Sequence, residues 1–358
     1  MFAVIMAGGS GTRFWPASRT GKPKQFMNIS GKDTMVAETC ERLIPLARYE
    51  EMIIVLGREH LKEAKAIFRN RNVHMLAEPV GRNTAPCVGL GAIYAEYLDC
   101  KGPVAFLPAD HFIGDTFAFA EGLRSAVKIA ESGGIATLGI VPTRPETGYG
   151  YLRRSELHPD FEGFSAYRLS AFVEKPDLKT ARHYLSEGEY FWNAGIFVAT
   201  PETIIKEIRQ YLPDLYQGLE RLKKVLGTDA FESEIEEVYQ DLEAISFDCG
   251  IMEKTKDPIY VIPCECGWSD VGSWASLYEL RERDYDPHNN LVEGESLLID
   301  CKNSFVSGQG GKLVACLGLK NCLVVDTPEA LLVADLDKSQ EIRKIVEQLK
   351  RTKKEELL

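Results

Sequence analysis

Between Gly8 and Lys32 the chain contains no acidic residue. The same stretch carries Arg13, Arg19, Lys22, Lys24 and Lys32, although the whole protein has a formal net charge of −11. A broad basic face is therefore missing, and with a pI near 5.2 neither general nucleic-acid binding nor binding to an anionic membrane surface is expected. The local cations suit a small, highly charged anion instead. Long hydrophobic runs are missing too. The first apolar run, Phe2 to Ala7, has no basic region ahead of it and is too short for a signal h-region or a membrane span. There is no low-complexity segment and no internal repeat. The nine cysteines are odd in number and scattered, which points to reduced thiols in a cytoplasmic protein. Cys264 and Cys266 lie two apart without a second pair at zinc spacing, so alternate positions on a strand are preferred to a metal pair.

At 358 residues, 45% hydrophobic and 27% charged, the chain is globular and long enough for two domains. Strand-like runs at Met52–Leu56, Val104–Leu107, Ile135–Ile140 and Ile196–Ala199 alternate with helical stretches at Thr34–Leu46, Glu59–Phe68, Ala85–Leu98 and Phe117–Ser132. That alternation predicts an α/β fold, Rossmann-like, with a mixed, mostly parallel sheet flanked by helices. Ligands in such sheets sit at the carboxyl ends of strands, where the first loop and Pro108-Ala109-Asp110-His111 fall. A charged helical region spans Pro201 to about Leu242. Beyond Asp284, short strands at Leu297–Asp300, Leu313–Leu317, Cys322–Val325 and Ala330–Val333 predict a small β-rich segment, closed by a helix from Ser339 to Leu349. The expected division is a catalytic domain over 1–284 and a small β domain over 285–358, the latter a candidate dimerisation surface.

The loop Gly8-Gly9-Ser10-Gly11-Thr12-Arg13 offers backbone N–H groups to an anion. Two well-known phosphate loops are excluded. None of the pairs Gly21-Lys22, Gly31-Lys32 and Gly311-Lys312 is followed by Ser or Thr, so there is no Walker A motif. Gly9-x-Gly11 meets Phe14 where a dinucleotide fingerprint needs a third glycine. Glycines, Thr12-Arg13, a spacer and then Pro23-Lys24-Gln25-Phe26 form a more specific pattern.

That pattern resembles the activating loop of the sugar-nucleotide pyrophosphorylases, in particular the bacterial-type mannose-1-phosphate guanylyltransferases in their short form without an isomerase domain. Other segments agree in order: Glu78-Pro79 with Gly81 to Pro86, Pro108 to His111, Glu146 to Tyr151, Phe172 to Pro176, Trp192 to Phe197, Asp248 to Lys254, and Trp268 to Gly272. The tail matches the short form, implying a β-helix-like C-terminal domain. Phe14 and Ala17 stand where relatives often have Leu, and Gly21-Lys22 adds flexibility and charge without an evident task.

The resemblance implies transfer of GMP from GTP to mannose 1-phosphate, with Mg²⁺ as cofactor. Nucleotide contacts then fall to Ala7, Gly8, Gly9, Ser10, Gly11, Thr12, Arg13, Lys24, Glu78, Asn83, Thr84, Ala109 and Asp110. Arg13 and Lys24 are the cations for the triphosphate, and with Lys175 they are the catalytic candidates. Asp110 and Asp270 are the metal candidates, since Mg²⁺ takes one or two carboxylates plus phosphate oxygens. Read alone, Asp110 serves equally as a helix cap and Asp270 as a turn residue. Tyr149, Gly150, Glu174, Lys175 and Asn193 are assigned to the sugar phosphate, a solvated Glu-Lys pair being the plain alternative. His111 is read as structural, and Trp192, Trp268 and Trp274 as core. A related transferase for another base or sugar, and a non-catalytic nucleotide-sugar sensor, are the competing readings.

Overall fold

The computed structural model describes residues 1–9, 11–29, 33–158 and 163–358, so Ser10 and Lys32 lie outside the described residues. The chain divides into two compact units. Unit 1 comprises Met1–Gly8, Val36–Ala109 and Ile113–Trp268; unit 2 comprises Gly9–Met35, Asp110–Phe112 and Ser269–Leu358. The elements are β1 (Phe2–Ala7), α1 (Met35–Leu43), β2 (Met52–Gly57), α2 (Leu61–Ile67), β3 (His74–Glu78), α3 (Thr84–Tyr97), β4 (Val104–Pro108), β5 (Phe112–Ile113), α4 (Thr116–Glu131), β6 (Ile135–Ile140), β7 (Gly150–Leu157), β8 (Tyr167–Glu174), α5 (Leu178–Glu187), β9 (Tyr190–Ala199), α6 (Pro201–Tyr211), α7 (Pro213–Val225), α8 (Phe231–Asp241), β10 (Ile259–Cys264), β11 (Trp268–Ser269) and α9 (Trp274–Leu280). The chain continues with β12 (Leu291–Gly294), β13 (Ser296–Ile299), β14 (Phe305–Gly308), β15 (Val314–Leu317), β16 (Cys322–Asp326), β17 (Leu331–Asp335) and α10 (Arg343–Arg351).

Unit 1 is built on a nine-stranded sheet in the order β3-β2-β1-β4-β9-β6-β10-β8-β7. Its first strands are apolar throughout because helices cover both faces. In register, Ile5 of β1 lies between Ile54 of β2 and Leu107 of β4, all parallel and all buried. β8 and β9 run against the other seven strands. The segment Ile196–Ala199, expected within the parallel set, is thus the end of a longer reversed strand. Its first half is buried and aromatic, Tyr190 to Trp192, and half-buried Asn193 interrupts the apolar run before Ile196. Strands β7 and β8 also escape an apolar-run reading: β7 is buried only over its first three residues, and β8 carries half-buried and exposed positions throughout. Helix α3 is apolar on all sides and buried against the sheet and α6–α8; Val4, Val88, Leu219 and Val238 share one core. Asp115 caps α4 by accepting from the N–H groups of Phe117 and Ala118, at 3.0 and 2.9 Å. Cys264 and Cys266 are both buried beside exposed Glu265, but only Cys264 is on a strand, as the last residue of β10, and Cys266 follows in a bend.

The topology places the ends of β1, β3, β4 and β6 along one edge of the sheet. There Gly139 faces Asn193, and Gly150 faces Glu174.

In unit 2, β12, β14 and β16 pair in parallel, while β13 and β15 form a second parallel ladder. The chain alternates between the two ladders, which is the coil of a β-helix, and β17 closes it antiparallel to β16. Phe14 and Trp15 of the basic loop share a core with Trp274, Phe305, Leu323 and Leu336. The expected final helix begins later than predicted. Residues Leu336–Ile342 form a 3₁₀ turn in which the buried Ser339 Oγ accepts from the Ala275 N–H at 3.2 Å, and α10 follows. Among the described residues no helix is long and apolar enough to cross a membrane.

Candidate active site

The basic loop lies in unit 2 and is folded by its own residues. Gly11 adopts a left-handed conformation (φ 56°), and a Cβ there would sit 2.5 Å from the Lys24 backbone nitrogen. Only glycine allows the outgoing and returning arms to approach so closely. Ser18 Oγ donates to the Gly11 carbonyl at 2.6 Å, and Gln25 Nε2 to the Gly9 carbonyl at 3.2 Å. Thr20 and Gly21 form a tight two-residue turn closed by Arg19 and Lys22, whose N–H groups donate to each other's carbonyls at 3.0 Å.

Lys24 is buried at 5% exposure, and its ammonium faces inward. Nζ donates to the Asp110 carbonyl at 2.7 Å, to Asp110 Oδ2 at 3.0 Å and to the Asp270 carbonyl at 2.5 Å. An ammonium has three donors, and these contacts use all of them. In this arrangement Lys24 ties together the two segments carrying the metal candidates. Partial burial works against a charged Asp110, but Lys24, His111 and Arg13 outweigh it and hold the carboxyl below the usual range. His111 Nε2 lies 4.0 Å from Asp110 Oδ1.

Asp270 Oδ1 accepts from the Gly272 N–H at 3.0 Å. A Cβ on Gly272 would fall 2.6 Å from Asp270 Oδ2 and 3.2 Å from Arg13 Nη1, so guanidinium and carboxylate flank the same glycine. Val271 between them is buried with φ 42°, an unfavourable conformation for a β-branched residue, of the kind that clusters at functional sites. Arg13 itself is exposed. Among the described residues there is no group of three or more His, Cys, Asp and Glu placed to hold a metal. Two hard carboxylates beside an exposed Arg fit Mg²⁺, which takes few protein ligands and completes its shell with phosphate oxygens and water.

Unit 1 gathers the residues assigned to the sugar phosphate. A Cβ on Gly150 would lie 2.7 Å from Glu174 Oε2 and 3.4 Å from the Asn193 Cβ, so the Glu174 carboxylate crosses the place a side chain would fill. Lys175 pairs with Glu174 and holds φ 47°, with its N–H on the Tyr149 carbonyl at 3.2 Å. Tyr149 meets Trp192 and Trp268 edge-on, at centroid distances of 5.2 and 5.1 Å. Trp192 and Trp274 are core, as expected, and Trp268 is half-buried. Asn193 Nδ2 donates to Asp248 Oδ1 at 2.7 Å, and its Oδ1 accepts from the Gly195 N–H at 3.1 Å, leaving one amide N–H for a ligand. Burial pushes Asp248 up to about 6, with Glu174 adding to the shift and the Asn193 bond opposing it. Asp248 opens a π-turn, Asp248–Met252. Only its place in a matching segment marked it in the sequence.

The residues expected around the base have mostly structural engagements. Asn83 caps α3, its Oδ1 accepting from the Thr84 N–H at 2.9 Å. Thr84 Oγ1 accepts from the Phe247 N–H at 2.8 Å, and the Ala109 N–H and carbonyl are held by Met6 and Thr39. Glu78 is buried at the end of β3, with Oε2 3.8 Å from where a Cβ on Gly8 would lie. Thr12 starts a 3₁₀ turn, and Ala7 is buried at the end of β1.

Comparison with known proteins shows the family. Residues 2–286 match the nucleotidyl transferase family model, and residues 294–349 match the MannoseP isomerase/GMP-like beta-helix domain. The chain is 38% identical over 362 residues to mannose-1-phosphate guanylyltransferase RfbM of Salmonella typhimurium, covering 99% of this chain and 73% of RfbM. It is 37% identical over 351 residues to xanthan biosynthesis protein XanB of Xanthomonas campestris pv. campestris, covering 97% and 73%. The crystal structure of a mannose-1-phosphate geranyltransferase from Thermus thermophilus superposes with a TM-score of 0.85 at 36% identity, over 98% of this chain and 99% of that one.

Proposed function

The chain belongs to the nucleotidyl transferase family, and on that footing we propose that it transfers GMP from GTP to α-D-mannose 1-phosphate, giving GDP-mannose and pyrophosphate. An oxygen of the sugar phosphate attacks the α-phosphorus of GTP. The bond from that phosphorus to the β-phosphate oxygen breaks in line, and pyrophosphate leaves with the electron pair. No covalent chemistry falls to the protein, so its contribution is position and countercharge.

Arg13 supplies the direct cation for the triphosphate, with a fork suited to two phosphate oxygens. Gly8, Gly9, Gly11 and Thr12 follow the phosphates with backbone groups. Lys24 acts through Asp110 and Asp270, fixing both by their carbonyls and one carboxylate. Asp110 and Asp270 would hold Mg²⁺, which when bound neutralises phosphate charge and polarises the α-phosphoryl group. Lys175 pairs with the sugar phosphate, while Glu174 and the remaining Asn193 N–H meet ring hydroxyls, beside Tyr149 and Gly150. Glu78 reads the base. The observation that carries this reading is Lys24, which joins the two aspartates within the unit that holds Arg13.

The catalytic segment is taken as 1–284 and the β-rich segment as 285–358. Leu297, Ile299 and Leu317 stand 51%, 50% and 71% exposed on one face of the β13–β15 ladder, which suits pairing of two copies. The product serves polysaccharide assembly, as the name of XanB suggests, and the compartment is the cytoplasm. Pyrophosphate release, measured across GTP, ATP, UTP and dTTP with mannose 1-phosphate and glucose 1-phosphate, tests the reading. Release should be fastest with GTP and mannose 1-phosphate; none with that pair removes it.

A further inference from the structure

The charged helical region after β9 has no task in the chemistry above, yet one of its side chains reaches the base end of unit 1. Tyr239, near the end of α8, is buried at 1% exposure, and its hydroxyl donates to Glu78 Oε1 at 3.1 Å. The other carboxylate oxygen lies on the Gly8 side. Helix α8 is fastened to the segment that follows Glu78. Arg82 Nε donates to the Tyr239 carbonyl and Nη2 to the Gln240 carbonyl, both at 2.7 Å. The chain beyond α8 is stitched to the same segment: the Ala85 N–H donates to the Ile245 carbonyl at 3.1 Å and the Ile245 N–H to the Arg82 carbonyl at 3.2 Å. Hydrogen bonds therefore tie Glu78 and Arg82 to Tyr239 and the chain around it.

A carboxylate is an acceptor only. Guanine presents two adjacent donors, N1–H and the N2 amine, hypoxanthine keeps only the first, and adenine has an acceptor at N1. We propose that Tyr239 is a positioning residue that holds Glu78 as the acceptor for the N1–H and N2 amine of guanine, so that α8 sets the base preference. This rests on the guanylyl-transfer reading. The surroundings favour a device that keeps Glu78 charged. Burial pushes its carboxyl up to about 7, Glu59 after β2 adds to the rise, and the Tyr239 hydroxyl opposes it. The remaining titratable neighbour, Cys87 on α3, is a buried thiol whose ionisation burial and Glu78 both suppress.

The test is kcat and KM of the full-length protein for GTP, ITP and ATP with mannose 1-phosphate, as a function of pH. Tyr239→Phe should raise KM for GTP about tenfold, the size of one buried hydrogen bond, with kcat within about twofold. It should narrow the preference for GTP over ITP and move the acid limb of kcat/KM for GTP to higher pH. A folded Tyr239→Phe protein with unchanged preference and an unmoved limb overturns the proposal. If that variant does not fold, Glu78→Gln takes its place. Loss of the acid limb and of the GTP preference supports the role, and retention of both overturns it. Wild-type protein that uses another nucleotide in place of GTP overturns the underlying reading and this proposal together. Wild type that uses GTP beside an unchanged variant overturns this proposal alone.

Discussion

Asp110 holds its charge against partial burial because Lys24, His111 and Arg13 favour it, and Lys24 also anchors Asp270. Asp110→Asn keeps the shape and the Lys24 contact but loses the charge. It should bind GTP and turn over roughly 100-fold to 1,000-fold more slowly, as expected when one transition-state electrostatic group is removed. Calorimetric titration with GTP beside steady-state rates checks this, and near-normal turnover takes Asp110 out of the metal site. Glu78 is the opposite case, a carboxyl raised by burial from 4.5 to about 7. Between those values the folded state keeps a proton that the unfolded state has lost, so Glu78 makes stability fall as pH rises through this window and level off above it. Glu78→Gln should flatten the dependence of Tm on pH between about 4.5 and 7. An unchanged slope in calorimetric scans would contradict the burial argument.

At the scale of elements, the junction of β7 and β8 is built around a missing side chain. A Cβ at Gly150 would meet Glu174 Oε2 at 2.7 Å, so Gly150→Ala must displace the carboxylate assigned to the sugar. KM for mannose 1-phosphate should rise about tenfold or more with KM for GTP little changed, since the loss of one or two hydrogen bonds is at issue; equal effects on both substrates would refute the assignment. The elements themselves were unevenly legible. Apolar β1, β2, β4 and β6 announce themselves, because burial on both faces leaves them without polar positions. β8, the front of β9 and β3 do not, as each carries half-exposed positions or a site residue. Of the proposed site, Arg13, Asp110, Asp270, Glu174 and Asn193 stand out in the sequence because they fall in recognisable segments. The inward turn of Lys24, the Asn193–Asp248 bond and the Tyr239–Glu78 bond do not. Each depends on residues 55 to 246 positions apart meeting in space, which no local spacing encodes.

At the scale of the molecule, the basic loop belongs by its contacts to the unit that contains the β-helix, although it follows the first strand of the sheet unit. The apolar face of the β13–β15 ladder is the surface we propose for self-association. Leu317→Asp should shift the sedimentation mass from two chains toward one at micromolar concentration, and a wild-type monomer would contradict that use of the face. The central claim is the reaction itself, and phosphorus NMR of GTP with mannose 1-phosphate, Mg²⁺ and the protein follows it directly. GDP-mannose and pyrophosphate should appear in equal amounts as both substrates decline. An unchanged spectrum, or GDP with inorganic phosphate in their place, would contradict it.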